Sequence, residues 1–555
     1  MKDDTNREPS FDATESKNQS MRGNSLRENR ETLEAPPADS VGGPPEKAQP
    51  KSGGVPSRES DESVIPAKRA NNAPEVVPGA AESVEERGST KGNTEKTRLV
   101  SDTAPVKRRG MGLLGVRMAA QRDKEVRFTA LLHHVTPELL RASYEDLNPK
   151  AAPGVDEVTW QEYGSDLETR LERLHEKIHR GTYRAQPSKR VWLAKADGRQ
   201  RPIGIAALED KIVQQAVRVI LEQIYEEDFL GLSYGFRPGR GAHDALDALY
   251  VGIMRKKVNY VLDADIRGFF DAIGHKWMLR LLEHRIADRR ILRLIQKWLT
   301  AGVSEEGEWS DTTVGTAQGA VISPLLANVY LHYVLDLWVH QWRNRHAHGD
   351  VIIVRYADDF VLGFQHRSDA EQCLRALKQR LQEFGLELHP EKTRLIEFGR
   401  FAEQNRRKRG QRKPETFDFL GFTHYCGKRR SGSFVVKRRS IAKRMRQKLL
   451  AIKQELRRRL HDSVKQTGAW LRAVLQGWFN YHAVPYNYER INQFRTQVAR
   501  LWKRALQRRS HKARRAWRWE RAARLIRKWF PPTKILHPYP DERFDIRHPP
   551  KVGAV

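Results

Sequence analysis

An α+β fold, joined to an all-helical and strongly basic C-terminal part, is what this 555-residue sequence predicts. Three observations lead there. Two apolar, β-branched runs (residues 260–265 and 351–364) have strand character and carry aspartates at their ends or centre. Segments of helical apolar spacing alternate with them. Beyond Ser440 the spacing becomes helical throughout, and residues 437–530 hold 28 Lys and Arg against 4 acids, so this part is a polycation.

In chain order, residues 1–110 contain no Trp or Tyr and one Phe (Phe11), too little apolar surface to offset the entropy of ordering, which predicts a disordered tail. Helical spacing runs from Lys124 to Leu147, through Phe128, Leu131, Leu132, Val135, Leu139 and Leu140. A second helix is expected over 159–180. Residues 191–205 read as two strands joined by Asp197-Gly198, since Asp-Gly supplies the positive φ of a tight hairpin. A helix over 208–225 precedes the loop Ser233-Tyr234-Gly235-Phe236-Arg237-Pro238-Gly239-Arg240, read either as structural punctuation or, through its arginines and aromatics, as a nucleic-acid contact. Helices are expected over 275–301, from Pro324 to Asp336 and over 368–385, with strand-and-turn pieces at 386–393 and 417–422. Six of the 13 tryptophans fall beyond residue 440, where they serve as core anchors of a helix bundle. These pieces divide into a tail (1–110), an N-terminal extension and first domain (111–257), a central domain with the acidic hairpin (258–430), a basic helical domain (437–530) and a C-terminal tail (531–555).

The net charge is +31, while residues 1–100 are slightly acidic, so the positive charge is concentrated downstream as a nucleic-acid footprint. The two cysteines, Cys373 and Cys426, form neither a disulfide framework nor a zinc motif, which points to a reducing compartment. No signal peptide and no apolar run near 18 residues is found, so no membrane role is expected.

The candidate chemistry lies at Tyr356-Ala357-Asp358-Asp359. Two carboxylates flanked by Val and Ile ladders are costly to bury unless paired, and a hard cation such as Mg2+, bound through one or two carboxylates plus substrate phosphate, removes that cost. On the other strand Asp263 and Asp265 share a face by the period of two, and the residues alone leave open which is a ligand. Lys195 and Arg201 flank the Asp197-Gly198 turn and could converge on phosphate.

Taken together, Ala152-Pro153-Gly154-Val155-Asp156, residues 195–205, Tyr234-Gly235-Phe236-Arg237-Pro238-Gly239, Asp265-Ile266-Arg267-Gly268-Phe269-Phe270-Asp271, residues 318–328, Tyr356-Ala357-Asp358-Asp359, Pro390-Glu391-Lys392-Thr393 and Phe419-Leu420-Gly421-Phe422 occur in an order that resembles the reverse transcriptase and maturase proteins encoded by group II introns, over residues 124–530. The resemblance implies a right-hand polymerase: helical fingers with a hairpin, an antiparallel palm and a helical thumb or maturase domain. It implies RNA-directed DNA polymerase activity with intron RNA or template RNA, a DNA primer or target and dNTPs as partners, no membrane, and a bacterial-type cytoplasmic, ribonucleoprotein setting.

It further implies that Asp265, Asp358 and Asp359 hold two Mg2+ ions, with Mn2+ as a substitute. Asp358 takes the bridging role and Asp359 a supporting one. Lys195 and Arg201 grip the triphosphate, Phe269 is the steric gate against a 2′-hydroxyl, and Ile266 and Gln318 line the nucleotide site. Lys392 protonates pyrophosphate or forms a plain salt bridge, and Gly421, Arg237 and Arg240 meet primer or template. The sequence departs from the family's pattern at Ala317 and Ala320, where Pro and Gly are usual, in its long N-terminal tail, and in lacking a Cys/His-rich endonuclease segment. A splicing-only RNA-binding protein and a domesticated reverse transcriptase of defence or repair are the alternatives.

Overall fold

The computed structural model describes residues 111–194, 200–305, 308–310, 314–316, 319–411 and 413–547, which fall within one compact unit. The predicted tail, Lys195, the Asp197-Gly198 turn, Ala317 and Gln318 lie outside the described residues.

The N-terminal part consists of α1 (Met111–Arg122), α2 (Pro137–Glu145), α3 (Trp160–Gly164) and α4 (Leu167–His179). One helix was expected across Lys124 to Leu147. It is instead an irregular stretch followed by α2, because Pro137 cannot sit inside a helix and serves as its first residue, with Thr136 capping Leu139 N–H at 3.2 Å. Strands β1 (Ser188–Ala194) and β2 (Gln200–Ile205) pair antiparallel, as the Asp-Gly turn predicted. Strand β1 also pairs with β4 (Val303–Glu305), which pairs with β5 (Glu308–Ser310). Helix α5 (Leu208–Asp228) is buried along most of its length, and α6 (Ala242–Arg255) follows the Tyr234–Arg240 loop.

The central sheet has the order β6-β7-β3-β8, formed by β3 (Tyr260–Asp265), β6 (Val351–Tyr356), β7 (Asp359–Phe364) and β8 (Arg394–Glu397), antiparallel at every joint. Its two faces follow the period of two. Leu262, Ala264, Ile353, Phe360, Leu362 and Phe364 pack into one core with α5 and α10 (Ser323–Leu331). Val261, Ile352, Val354, Val361 and Ile396 pack into a second core with α6. Burial on both faces is why these strands read as unbroken β-branched runs. Helix α10 continues through a π-turn, His332–Asp336, into α11 (Leu337–Arg345), and α12 (Arg367–Glu383) covers the same face.

A three-stranded sheet, β9 (Phe417–Phe419), β10 (Phe422–Lys428) and β11 (Phe434–Ser440), leads to a bundle of α13 (Ala442–Arg458), α14 (Val464–His482), α15 (Tyr488–Gln507), α16 (His511–Ala516) and α17 (Trp519–Trp529). The bundle has its own core around Trp502 and Phe494, against which Trp470, Trp478, Trp517 and Trp529 pack, while Trp519 remains exposed. The segment expected as a C-terminal tail instead folds back. Helix α18 (Pro540–Arg547) buries Phe544 in the second core, and Arg543 pairs with Asp244 and, at 2.8 Å, with Asp247 on α6. No helix among the described residues is long and apolar enough to cross a membrane.

Candidate active site

The β6–β7 hairpin turns at Ala357 and Asp358, and Ala357 holds φ +57°, a left-handed conformation in which glycine would be at ease. A buried hydrogen-bond network and one close backbone approach hold the turn in place. Arg355, fully buried, donates to both oxygens of the equally buried Asp336 at 2.7 and 2.5 Å, and its Nη1 donates to Asn328 Oδ1 and to the carbonyl of Ala357, each at 2.9 Å. Asn328 Nδ2 in turn donates to the carbonyl of Gly235 at 2.8 Å. The Gly235 backbone runs so close to the turn that a Cβ there would collide with the backbone nitrogen of Ala357. The π-turn between Asn328 and Asp336 shifts the helical phase, and both side chains reach Arg355.

Held this way, Asp359 is the cross-strand partner of Asp265. Like charges directly opposed on an antiparallel ladder are unfavourable, and the strain is visible in the carboxyls. Burial, then the charges of Asp358 and Asp265, push Asp359 up to about 6, although its surface opens to the cleft. Burial pushes Asp358 up as well, with Asp265 adding to it and Arg201 opposing it. Arg201 on β2 therefore lies within electrostatic reach of the hairpin tip. Lys392 ion-pairs with Asp265, and the charges of Arg444 and Lys392 act on Asp359. Asp263, left open by periodicity, pairs with Arg394 at 3.1 Å and faces Val361 across the ladder, so Asp265 is the strand acid that meets the hairpin.

Asp265, Asp359, Lys392, Arg394, Gly421 and Arg444 line a cleft of about 490 Å3. Gly421 (φ +85°) forms its far wall, where a Cβ would stand 3.2 Å from Arg444 Nη1. Among the described residues no three or more His, Cys, Asp or Glu enclose a cation by themselves. The three aspartates form an open set, in which burial and then the neighbouring carboxylate charges raise the pKa of Asp358 and Asp359. Such a set fits Mg2+, which keeps waters and takes further oxygens from substrate phosphate.

Other expected site residues lie elsewhere. Phe269 is 2 % exposed in the first core, against Tyr330, and cannot meet a sugar. The left-handed turn at Gly268 (φ +54°) sends that ring inward and leaves Phe270 half-buried, with its carbonyl bonded to Thr316 N–H at 2.8 Å. Arg237 and Arg240, expected on nucleic acid, are buried. Arg237 pairs with Glu226 at 3.0 Å, and both arginines donate to the Ser233 carbonyl, so they brace the loop that supports the hairpin. The Ile266 side chain is also buried. Arg444, Arg355, Asp336 and Phe270 were not singled out from the sequence as site residues. The buried arginine of β6 had one available signal, a lone cation inside an otherwise apolar strand.

The family of reverse transcriptases (RNA-dependent DNA polymerases) matches residues 193–424, the span that holds the cleft aspartates. Protein YkfC of Escherichia coli is 33 % identical over 314 residues, covering 50 % of this chain and 81 % of that protein. The chain belongs to the reverse transcriptase family. The group II intron-encoded protein LtrA of Lactococcus lactis is 36 % identical over 218 residues, 39 % of this chain and 36 % of LtrA. An uncharacterized 91 kDa protein in the cob intron of Schizosaccharomyces pombe is 38 % identical over 162 residues, 29 % of this chain and 20 % of that protein. The chain thus spans four fifths of YkfC and about a third or less of the two intron proteins.

Because Asp359 has its pKa raised when folded, its contribution to stability is fully present below the ordinary carboxylate value near 4 and is lost as pH rises to about 6. Asp359→Asn should therefore melt higher than wild type in metal-free buffer at pH 8, by a small margin given the open cleft, and the gap should close by pH 4. Mg2+ should raise the wild-type melting temperature and leave the variant's unchanged. Equal melting of the two proteins at pH 8 would contradict the proposed charge strain.

Proposed function

We propose that this reverse transcriptase extends a DNA primer on an RNA template by nucleotidyl transfer at the Asp265, Asp358 and Asp359 cluster, and that its basic C-terminal bundle binds intron RNA to promote splicing and mobility. The observation that carries the reading is the opposition of Asp265 to the Asp358-Asp359 turn, beside a cleft lined by Lys392 and Arg444 and within the electrostatic reach of Arg201. The central sheet is then the palm of a right-hand polymerase, the β1–β2 part its fingers and the bundle its thumb.

In the reaction the primer 3′-oxygen bonds to the α-phosphorus of a dNTP, the bond to the β-phosphate oxygen breaks, and pyrophosphate leaves. Asp265, Asp358 and Asp359 would hold Mg2+, which supplies a lowered pKa for the 3′-hydroxyl and neutralises the triphosphate and leaving-group charge. Arg201 reaches toward the triphosphate from the fingers, with Lys195 assigned the same task from its place in the sequence. Lys392 neutralises Asp265 in the structure and would meet the leaving pyrophosphate if a cation took over that carboxylate. Asp358 and Asp359 share the ligand role, Asp359 from the ladder and Asp358 from the turn. Gly421 leaves room for the primer backbone on the far wall. Gln318 is assigned to the floor beneath the incoming sugar. A cytoplasmic ribonucleoprotein is the setting this activity calls for.

Asp358→Asn should lower cDNA synthesis on a primed RNA template at least about a hundredfold, the scale of losing one preorganised electrostatic interaction, with RNA affinity nearly unchanged in a filter-binding assay. Wild-type synthesis by this variant would sink the assignment.

Phe270 takes the gate role that the resemblance gave to Phe269. Phe270→Val should admit ATP against dATP, whereas Phe269→Ala should leave discrimination intact and cost about 3–5 kcal/mol of stability as a core cavity. Unchanged discrimination in Phe270→Val would remove Phe270 from the nucleotide site.

A further inference from the structure

An open groove of about 1190 Å3 lies in the C-terminal bundle between α13, α15 and α16, sharing no lining residue with the catalytic cleft. Two stripes of one spacing face it. Lys453, Leu456 and Arg457 come from α13, and Arg504 and Ala505 from α15 with Arg508 at its C-terminal cap, each set containing the three- and four-residue steps that bring side chains to one helix face. Arg514 of α16 adds a fifth cation. No acid lines the groove, and among the described residues none of these five cations has a carboxylate partner. Nearby, Arg458 and Arg459 of the same stretch are paired with Glu455 and, for Arg459, Asp462, and both lie outside the groove. Five unpaired cations converging on one groove repel one another, an arrangement that an anionic occupant relieves.

The groove faces away from the reaction. Arg444, on the first turn of α13, lines the catalytic cleft. Lys453 is nine residues further along the same helix, which at about 100° per residue places it roughly 180° around the axis, and about 14 Å along it. A primer–template duplex in the cleft therefore runs past the opposite side of α13.

We infer that this groove is a second nucleic-acid site, for an unpaired loop or bulge of a folded RNA, separate from the primer–template path. Four of its five cations are arginines, whose planar forks match phosphate oxygens. Its floor of Leu456, Leu501 and Ala505 gives an unstacked base an apolar surface. Sequence-selective proteins take RNA in this form, with the base splayed from the helix and the backbone held by cations. The inference deepens the RNA-binding role proposed for the bundle and rests on that reading.

The test uses the full chain with Arg457, Arg508 and Arg514 changed together to Gln, all three being exposed, so the fold is retained. The probes are a labelled RNA hairpin with a single-stranded loop, a blunt DNA duplex and a primed RNA template. Affinity for the hairpin should fall about tenfold or more, and the slope of log K against log salt should shrink by about 2, as expected for three lost contacts to unpaired RNA. Primer extension should stay within about twofold of wild type. Unchanged hairpin affinity overturns the proposal. Equal losses for the hairpin and the duplex overturn it as well, since they mark a general cation surface, as does a parallel loss of primer extension, which would place the primer–template in the groove. Binding of a poly-glutamate peptide that outlasts the RNA at high salt would assign the groove to an acidic protein segment instead. If wild type extends no primer, the polymerase reading fails on its own, and the hairpin comparison still decides the groove.

Discussion

The buried ion pair between Arg355 and Asp336 is the constraint on which the site depends. Neither side chain reaches water, and desolvating both charges is repaid only by good geometry and further hydrogen bonds. Here Arg355 has both: two bonds to Asp336, one to Asn328 and one to the Ala357 carbonyl. The last two are what the pair accomplishes. They fix the hairpin turn from below and tie it, through Asn328, to the Gly235 loop. An apolar filling of the same volume could pack there, yet it would leave the turn free to shift.

Fixing the turn matters because its carboxylates repel. Burial, with the charge of Asp265 on both and of Asp358 on Asp359, raises the proton affinity of Asp358 and Asp359, so a loose hairpin would relax by moving the carboxylates apart. The fold resists from both sides. The Arg355 network holds the turn inward, and the β3–β7 ladder holds Asp265 against Asp359. Lys392, Arg201 and Arg444 offset part of the charge without closing the cleft. The result is a cluster of carboxylates held together against its own repulsion beside an open cleft, the arrangement that the proposed nucleotidyl transfer requires.

Much of this was legible in the sequence, and what was not has identifiable causes. The strands announced themselves because burial on both faces demands unbroken β-branched runs, and the expected antiparallel pairing of β1 with β2 is present. Period-two alternation also put Asp263 and Asp265 on one face, but only register distinguishes the acid opposite Asp359 from the one paired with Arg394. Register is a long-range property. The same limit explains Phe269 and Phe270, whose order in the sequence says nothing about which ring a left-handed glycine turns inward. It also explains Arg237 and Arg240: a basic loop looks the same whether its arginines reach outward or brace carbonyls beneath it. The C-terminal helix was hidden because its anchors, Asp244 and Asp247, lie about 300 residues upstream.

The most direct test replaces the pair as a unit. Arg355→Met combined with Asp336→Leu exchanges two buried charges for apolar groups of similar size, a change that often leaves stability near wild type or improves it. Melting temperature and the Mg2+ dependence of primer extension should be measured together. The account predicts a folded protein whose extension rate falls at least about tenfold and needs more Mg2+, because the hairpin turn has lost its hold on the carbonyl of Ala357. A double variant that melts like wild type and extends primers at the wild-type rate and Mg2+ concentration would contradict it.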